Sequence, residues 1–276
     1  MRQGSAERLQ DERESVMPFA RRPCETRICG LASNQGRPHR VKALSRGDCL
    51  EARAEPRLLT VVEGLIALSA WLPDGRRQIL SLYTPGELLC PMAGCGEETE
   101  LQLEALAPSR VCEIGLPLGA PLGAPLGAEV EAGGGTLSDE LFHEVHQRMM
   151  SASVHLVTLG RLDGMERVCL FLADMAWRTG CRTPGGWRVH LPLSREDIAD
   201  YLGLNAETVS RIFSRVKKSK LATFLSPTEF FVQDIEALQK RTPLSAPYAR
   251  RRAQSSGAEP GPGGANASRE ASLCPV

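Results

Sequence analysis

Residues 191–218 (LPLSREDIADYLGLNAETVSRIFSRVKK) leave this chain the fewest choices. Ser194, followed three residues later by Asp197, is a capping-box start, in which a hydroxyl and a carboxylate each take one of the backbone N–H groups that open a helix. Ile198, Ala199 and Leu202 then share one apolar face, and Gly203, with no Cβ, suits the left-handed residue that ends a helix. Asn205 caps a second helix whose Val209, Ile212, Phe213 and Val216 recur at helical spacing. Two short helices joined by a glycine turn, each with one apolar face, form the helix-turn-helix pattern.

In that pattern the N-terminal part of the second helix enters the major groove of DNA, and here its exposed residues are Ala206, Glu207, Ser210 and Arg211. Arg211 can donate two hydrogen bonds to guanine, and Glu207 can accept from the amino group of cytosine. Thr208 and Arg215 complete the candidate DNA contacts. Arg211, Arg215, Lys217, Lys218 and Lys220 gather positive charge in one place, which predicts salt-dependent binding. The whole chain balances 33 basic against 33 acidic residues, so a wholly basic, histone-like binder is excluded and the local cluster carries the argument. Residues 224–232 (FLSPTEFFV) read as a two-stranded wing turning at Ser226-Pro-Thr.

Upstream, residues 58–72 (LLTVVEGLIALSAWL) are strand-like and broken at Gly64, and Asp74-Gly75 precedes a second run at 78–83, a hairpin signal. Short runs at 101–106 and 110–114, with turns at Pro85-Gly86 and Pro108, have the spacing of an antiparallel barrel or jelly roll. A β domain is expected over 22–116. Pro-Leu-Gly-Ala then repeats three times over 117–128 and a glycine run follows, which reads as a low-complexity loop and extends this unit to 136. From Ser138, read as an N-cap, Leu141, Val145, Met149, Ala152, Leu156 and Leu159 recur every three or four residues, so one long helix is expected to about 160, its stripe suited to a second copy of the chain. His143 and His146 on it read as solvated. A second helix is expected over 164–178. Residues 1–21 and 241–276, charged or rich in Pro, Gly, Ala and Ser, are expected to be mobile.

Nine cysteines, at 24, 29, 49, 90, 95, 112, 169, 181 and 274, form no regular framework, and a charged N-terminus without a run of about 18 apolar residues supports neither secretion nor a membrane span. The expected compartment is the cytoplasm, with reduced thiols; Cys169 is expected in the core and Cys181 as an inert loop thiol.

A β domain, a long helix and a C-terminal winged helix, with LSREDIADYLGLNAETVSR at 193–211, resemble the Crp/Fnr family of bacterial transcription regulators over about residues 22–240. The resemblance implies an α+β fold: an N-terminal cyclic-nucleotide-binding-like β jelly roll (22–136), a dimerisation helix (137–160) and a winged helix-turn-helix (161–240). Glu207, Ser210 and Arg211 fall on the Glu-x-x-Ser-Arg triad of the Fnr and FixK branch. This implies a homodimer that reads a TTGAT-type palindrome in promoter DNA, recruits RNA polymerase and controls oxygen- or redox-responsive genes.

The family's cyclic-nucleotide members hold the ligand with Gly-Glu-Leu followed by a basic residue. Gly86-Glu87-Leu88 is present here, but residues 89–100 are acidic and contain no Arg or Lys, which opposes cAMP. The Fnr members hold an iron–sulfur cluster on clustered N-terminal cysteines and a central one. Cys24, Cys29 and Cys112 match part of that set and the fourth ligand is unassigned, so the effector is left open between a cluster, thiols and haem. Relatives place glycine after the recognition helix where this chain has Lys220. The alternative from another class, a cupin-like metalloenzyme with a helical dimerisation module, lacks histidines between His39 and His143 to serve as ligands.

Overall fold

The computed structural model describes residues 27–34, 39–50, 57–89, 100–115 and 137–244. Cys24, the Pro-Leu-Gly-Ala repeat and most of the two stretches expected to be mobile lie outside them.

A short helix, α1 (Arg27–Asn34), leads into β1 (His39–Leu44), β2 (Cys49–Leu50), β3 (Arg57–Glu63), β4 (Ile66–Trp71), β5 (Arg77–Tyr83), β6 (Leu88–Leu89), β7 (Glu100–Ala105) and β8 (Ser109–Gly115). These pair antiparallel in two four-stranded sheets, β1-β8-β3-β6 and β2-β7-β4-β5. Leu59, Val61, Ile66, Leu68, Tyr83, Leu103 and Val111 pack between them. Alternation along β8 turns Cys112 and Ile114 to the other face, where α1 covers them with Ile28, Cys29 and Ala32. Gly64 at the β3–β4 turn has φ +88°, and a Cβ there would lie 2.2 Å from Ser109 Oγ, so this break admits no side chain.

α2 (Leu137–Arg161) spans 25 residues, about 37 Å at the helical rise. It starts one residue before Ser138, which therefore lies in the first turn and not at the cap. Phe142, Val145, Met149 and Leu156 of its apolar stripe are exposed, whereas His155 and Thr158 are buried. His143 and His146 are exposed, as expected. α3 (Gly164–Thr179) begins with the reciprocal capping box of Asp163 and Glu166. Beyond it come β9 (Cys181–Thr183), β10 (Gly186–His190), α4 (Arg195–Leu202), α5 (Ala206–Lys218), β11 (Thr223–Ser226), β12 (Glu229–Val232) and α6 (Ile235–Gln239). The expected two-stranded wing is half of a four-stranded sheet, β11-β12-β10-β9, because Trp187–His190 of β10 pair with β12. Two thiol expectations need correction: Cys181 lies on β9 and not in a loop, and both Cys29 and Cys181 are disulfide-bonded. A cysteine count carries no information on which sulfurs meet in space.

The roll and the helices share one apolar core, in which Leu65, Ile79, Leu82 and Leu106 meet residues of α3, α4 and α5. Charges line the same seam. Arg77 of β5 donates to Asp197 at 2.6 Å and Asp200 at 2.7 Å on α4, and Arg46 donates to Asp197 at 2.6 Å. Glu87 accepts from Arg178 of α3 at 2.6 Å and lies 3.1 Å from Arg148 of α2, whose guanidinium covers the Tyr83 ring. Burial alone would raise the Glu87 carboxyl, but Arg178, Arg148 and the Thr84 N–H outweigh it and hold it at about 2.

Since the folded value lies below the ordinary 4.5, this carboxylate stabilises the fold fully above about pH 4.5, and the contribution of roughly 3 kcal/mol disappears as pH falls toward 2. Glu87→Gln should therefore lose about 3 kcal/mol at pH 7, where Arg178 stays buried with one fewer counter-charge. Its urea-unfolding stability should also decline less than the wild type's below pH 4.5; parallel curves would contradict this assignment.

Candidate nucleic-acid interface

The two caps read from the sequence are in place. Ser194 Oγ accepts from Asp197 N–H at 3.0 Å while the Asp197 carboxylate accepts from Ser194 N–H at 3.0 Å. Gly203 takes φ 61°, and Asn205 Oδ1 accepts from Thr208 N–H at 2.7 Å. Together they set the angle between α4 and α5. α5 buries Val209, Ile212, Phe213 and Val216 against the core, which forces its other side into solvent.

That outer side carries the expected residues. Glu207 and Arg211 are 73% and 75% exposed and joined by an ion pair one turn apart, so both heads stay accessible to a ligand. Ser210 lies between them with its hydroxyl donating to the Ala206 carbonyl at 2.9 Å, Thr208 is half-buried, and Arg215, Lys217 and Lys218 continue exposed to the end of the helix. The β11–β12 hairpin is tied to α5 by aromatic contact: Phe213 stacks on Phe224 at 4.7 Å, and the Arg195 guanidinium lies 4.0 Å over Phe213. Arg195 was not singled out in the sequence, where it reads as one more surface charge on α4.

The comparisons with known proteins agree with this arrangement. The nitrogen fixation regulation protein FixK of Rhizobium meliloti (strain 1021) is 32% identical over 179 residues, which cover 65% of this chain and 75% of that one. This chain belongs to the Crp/Fnr family, in its FixK-like branch. Residues 166–241 match the model of the Crp-like helix-turn-helix domain. FixK of Bradyrhizobium diazoefficiens is 37% identical over 165 residues, 57% of this chain and 62% of that one. The solved structure of FixK2 from Bradyrhizobium japonicum aligns with a TM-score of 0.61 and 27% identity over 74% of this chain and 98% of that one. The family consists of transcription regulators with a helix-turn-helix domain and not of enzymes, which removes the metalloenzyme alternative. Its members bind promoter DNA, typically as dimers. Among the described residues no helix is long and apolar enough to cross a membrane.

Where relatives were expected to carry glycine, Lys220 has φ 56°. Its N–H donates to the Lys217 carbonyl at 3.0 Å and that of Leu221 to the Val216 carbonyl at 3.2 Å, the paired bonds of a Schellman motif with lysine in the left-handed position.

In the β roll, the structure brings together two of the three cysteines expected as ligands. Cys29 Sγ, Cys112 Sγ and a ring nitrogen of His39 lie within 4.8 Å of one another; both sulfurs are fully buried and His39 is half-buried. Cys24 lies outside the described residues. Burial, with Glu113 adding to it, pushes the Cys112 thiol up to about 11, and burial lowers His39. His39 was not proposed from the sequence; its position two residues before Val41, which pairs with Cys112, was the signal available.

These donors do not fit a four-iron cluster. Such a cluster presents separate irons to ligands spread around it, whereas donors this close converge on one point. Glu87 of the Gly-Glu-Leu segment is engaged by Arg178 and Arg148 of its own chain.

Lys220→Gly should stabilise the protein by about 1 kcal/mol by removing the Cβ penalty of a left-handed residue. The urea midpoint should rise with an unchanged slope; a fall would mean that the lysine side chain contributes more than its backbone costs.

Proposed function

We propose that this chain regulates transcription as a homodimer that seats α5 of each copy in the major groove of a TTGAT-type palindrome. The observation that carries this reading is the solvent-facing Glu207–Arg211 pair on a helix whose opposite face is locked into the core. Arg211 donates its fork to a guanine, Glu207 accepts from a cytosine amino group while orienting Arg211, and Ser210 fits between them. Thr208 and Arg215 hold the phosphates on either side, and the β11–β12 wing follows the backbone.

The second copy docks along α2. Phe142, Val145, Met149 and Leu156 leave a long apolar stripe in water on a single chain, which a parallel copy would cover. In this division of labour, residues 22–136 sense the signal, 137–160 join the copies and 161–240 bind DNA. The regulator acts in the cytoplasm, recruits RNA polymerase and serves oxygen- or redox-responsive genes, a reading supported by relatives named as nitrogen fixation regulators and by the buried cysteines Cys29 and Cys112.

Arg211→Ala should weaken binding to the palindrome by about 1–3 kcal/mol while leaving affinity for random duplex almost unchanged, as read by electrophoretic mobility shift at fixed salt. An equal loss on both DNAs would contradict base reading. Leu156→Glu with Met149→Glu should convert the dimer to a monomer in sedimentation equilibrium and abolish tight palindrome binding. A dimer that persists would place the interface elsewhere.

A further inference from the structure

Strand geometry delivers three soft or borderline donors to one spot. His39 of β1 and Cys112 of β8 share the outer face of a sheet, with Val41 paired to Cys112 on one side and Thr60 of β3 on the other. α1 lies over that face and lowers Cys29 onto it, 3.2 Å from Thr60 Oγ1. Cys112 Sγ stands 3.8 Å from His39 Nδ1. In a tetrahedral zinc site, with Zn–S near 2.3 Å and Zn–N near 2.05 Å, a sulfur and a nitrogen ligand are roughly 3.6 Å apart. The observed pair needs to close by only a few tenths of an ångström.

We propose that Cys29, His39 and Cys112 bind a single thiophilic divalent cation of the zinc class in place of an iron–sulfur cluster. Three protein ligands leave the fourth tetrahedral position to water or another small donor. Thr60 donates its hydroxyl to the Cys29 sulfur and orients it, as outer-shell partners of metal ligands do. Because Cys29 is disulfide-bonded in this structure, the ion enters after reduction. A dithiol supplies two electrons and two protons, converts the disulfide to two thiols and leaves as its own disulfide. The incoming ion then displaces one proton from Cys29 and one from Cys112, while His39 gives a lone pair and releases no proton. Metal occupancy and the oxidation of Cys29 thus exclude each other, which makes the pocket a redox-gated metal site beside α2 and not a cluster-based oxygen sensor. This inference stands apart from the DNA-binding reading, since palindrome binding by metal-free protein would leave either outcome open to measurement.

The test uses the full-length protein, reduced anaerobically with a phosphine, freed of reductant and titrated with Co2+. One equivalent should bind per chain, with visible bands of tetrahedral cobalt and a near-ultraviolet thiolate-to-cobalt band, and Zn2+ should displace it. Cys112→Ser should remove the thiolate band's Cys112 share and the tight site. His39→Gln, at a half-exposed position that tolerates the change, should keep thiolate character but bind at least about 10-fold more weakly. Protein oxidised with diamide should not bind. The proposal is overturned if His39→Gln or the oxidised protein titrates like the reduced wild type, if cobalt binds without a thiolate band, or if anaerobic iron and sulfide yield a stoichiometric cluster. Circular dichroism of each variant separates loss of a ligand from loss of the fold.

Discussion

Arg77 and Glu87, both from the roll, are each clasped by opposite charges from the helices, and the direction in which α5 faces depends on those clasps. Arg77 spans Asp197 and Asp200 of α4, and Glu87 joins α2 and α3 through Arg148 and Arg178. An apolar seam alone tolerates sliding, because hydrophobic contact has no direction. Charge-assisted hydrogen bonds at 2.6–2.7 Å have one good geometry, so they fix register across a core that burial holds together. Asp197 has two duties in this scheme: it completes the N-terminal box of α4 and receives both Arg46 and Arg77. Burial opposes its charge, yet the two arginines and Ser194 keep its carboxyl below the usual range. The first helix of the helix-turn-helix is thereby tied to the roll through two carboxylates, Asp197 at its start and Asp200 one turn on.

A second set of contacts joins the roll to the helix-turn-helix. The pocket of Cys29, His39 and Cys112 sits under α1, whose apolar side also packs with Leu137 and Leu141 at the start of α2. The cover of the pocket thus packs directly on the helix expected to carry the dimer interface. At its other end α2 buries His155 in stacked contact with Tyr201 of α4, with ring centroids 4.4 Å apart. One helix thus touches both the cover of this pocket and the first helix of the helix-turn-helix.

Much of the DNA-binding unit was legible because its determinants are local. Ser194 with Asp197, Gly203, and Asn205 with Thr208 each act within a few residues, and the inward set Val209, Ile212, Phe213 and Val216 obeys the helical period. The left-handed backbone of Lys220 was also foreseeable, since only the resemblance's glycine position was needed. The strands β9 and β10 were not. β9 has three residues, and the alternation of Trp187 and Val189 with Arg188 and His190 in β10 is too short to stand out; β10 owes its place to β12, far along the chain, and β9 owes its place to β10. α1 has only eight residues, too few to persist alone, and exists because the outer face of β8 needs covering.

Periodicity and capping chemistry, which act over a turn or two of chain, already determined that this polypeptide carries a helix-turn-helix with Glu207 and Arg211 on its outer face, a β domain before it and a long amphipathic helix between. The tertiary structure decided what residues far apart in sequence do to one another. It chose Arg148 and Arg178 as partners for Glu87, left the stripe of α2 in solvent, and placed His39 beside Cys29 and Cys112, which the family resemblance had offered as part of a cluster. Such meetings depend on sheet register and on which helix covers which face, and these are set by the packing of the whole chain.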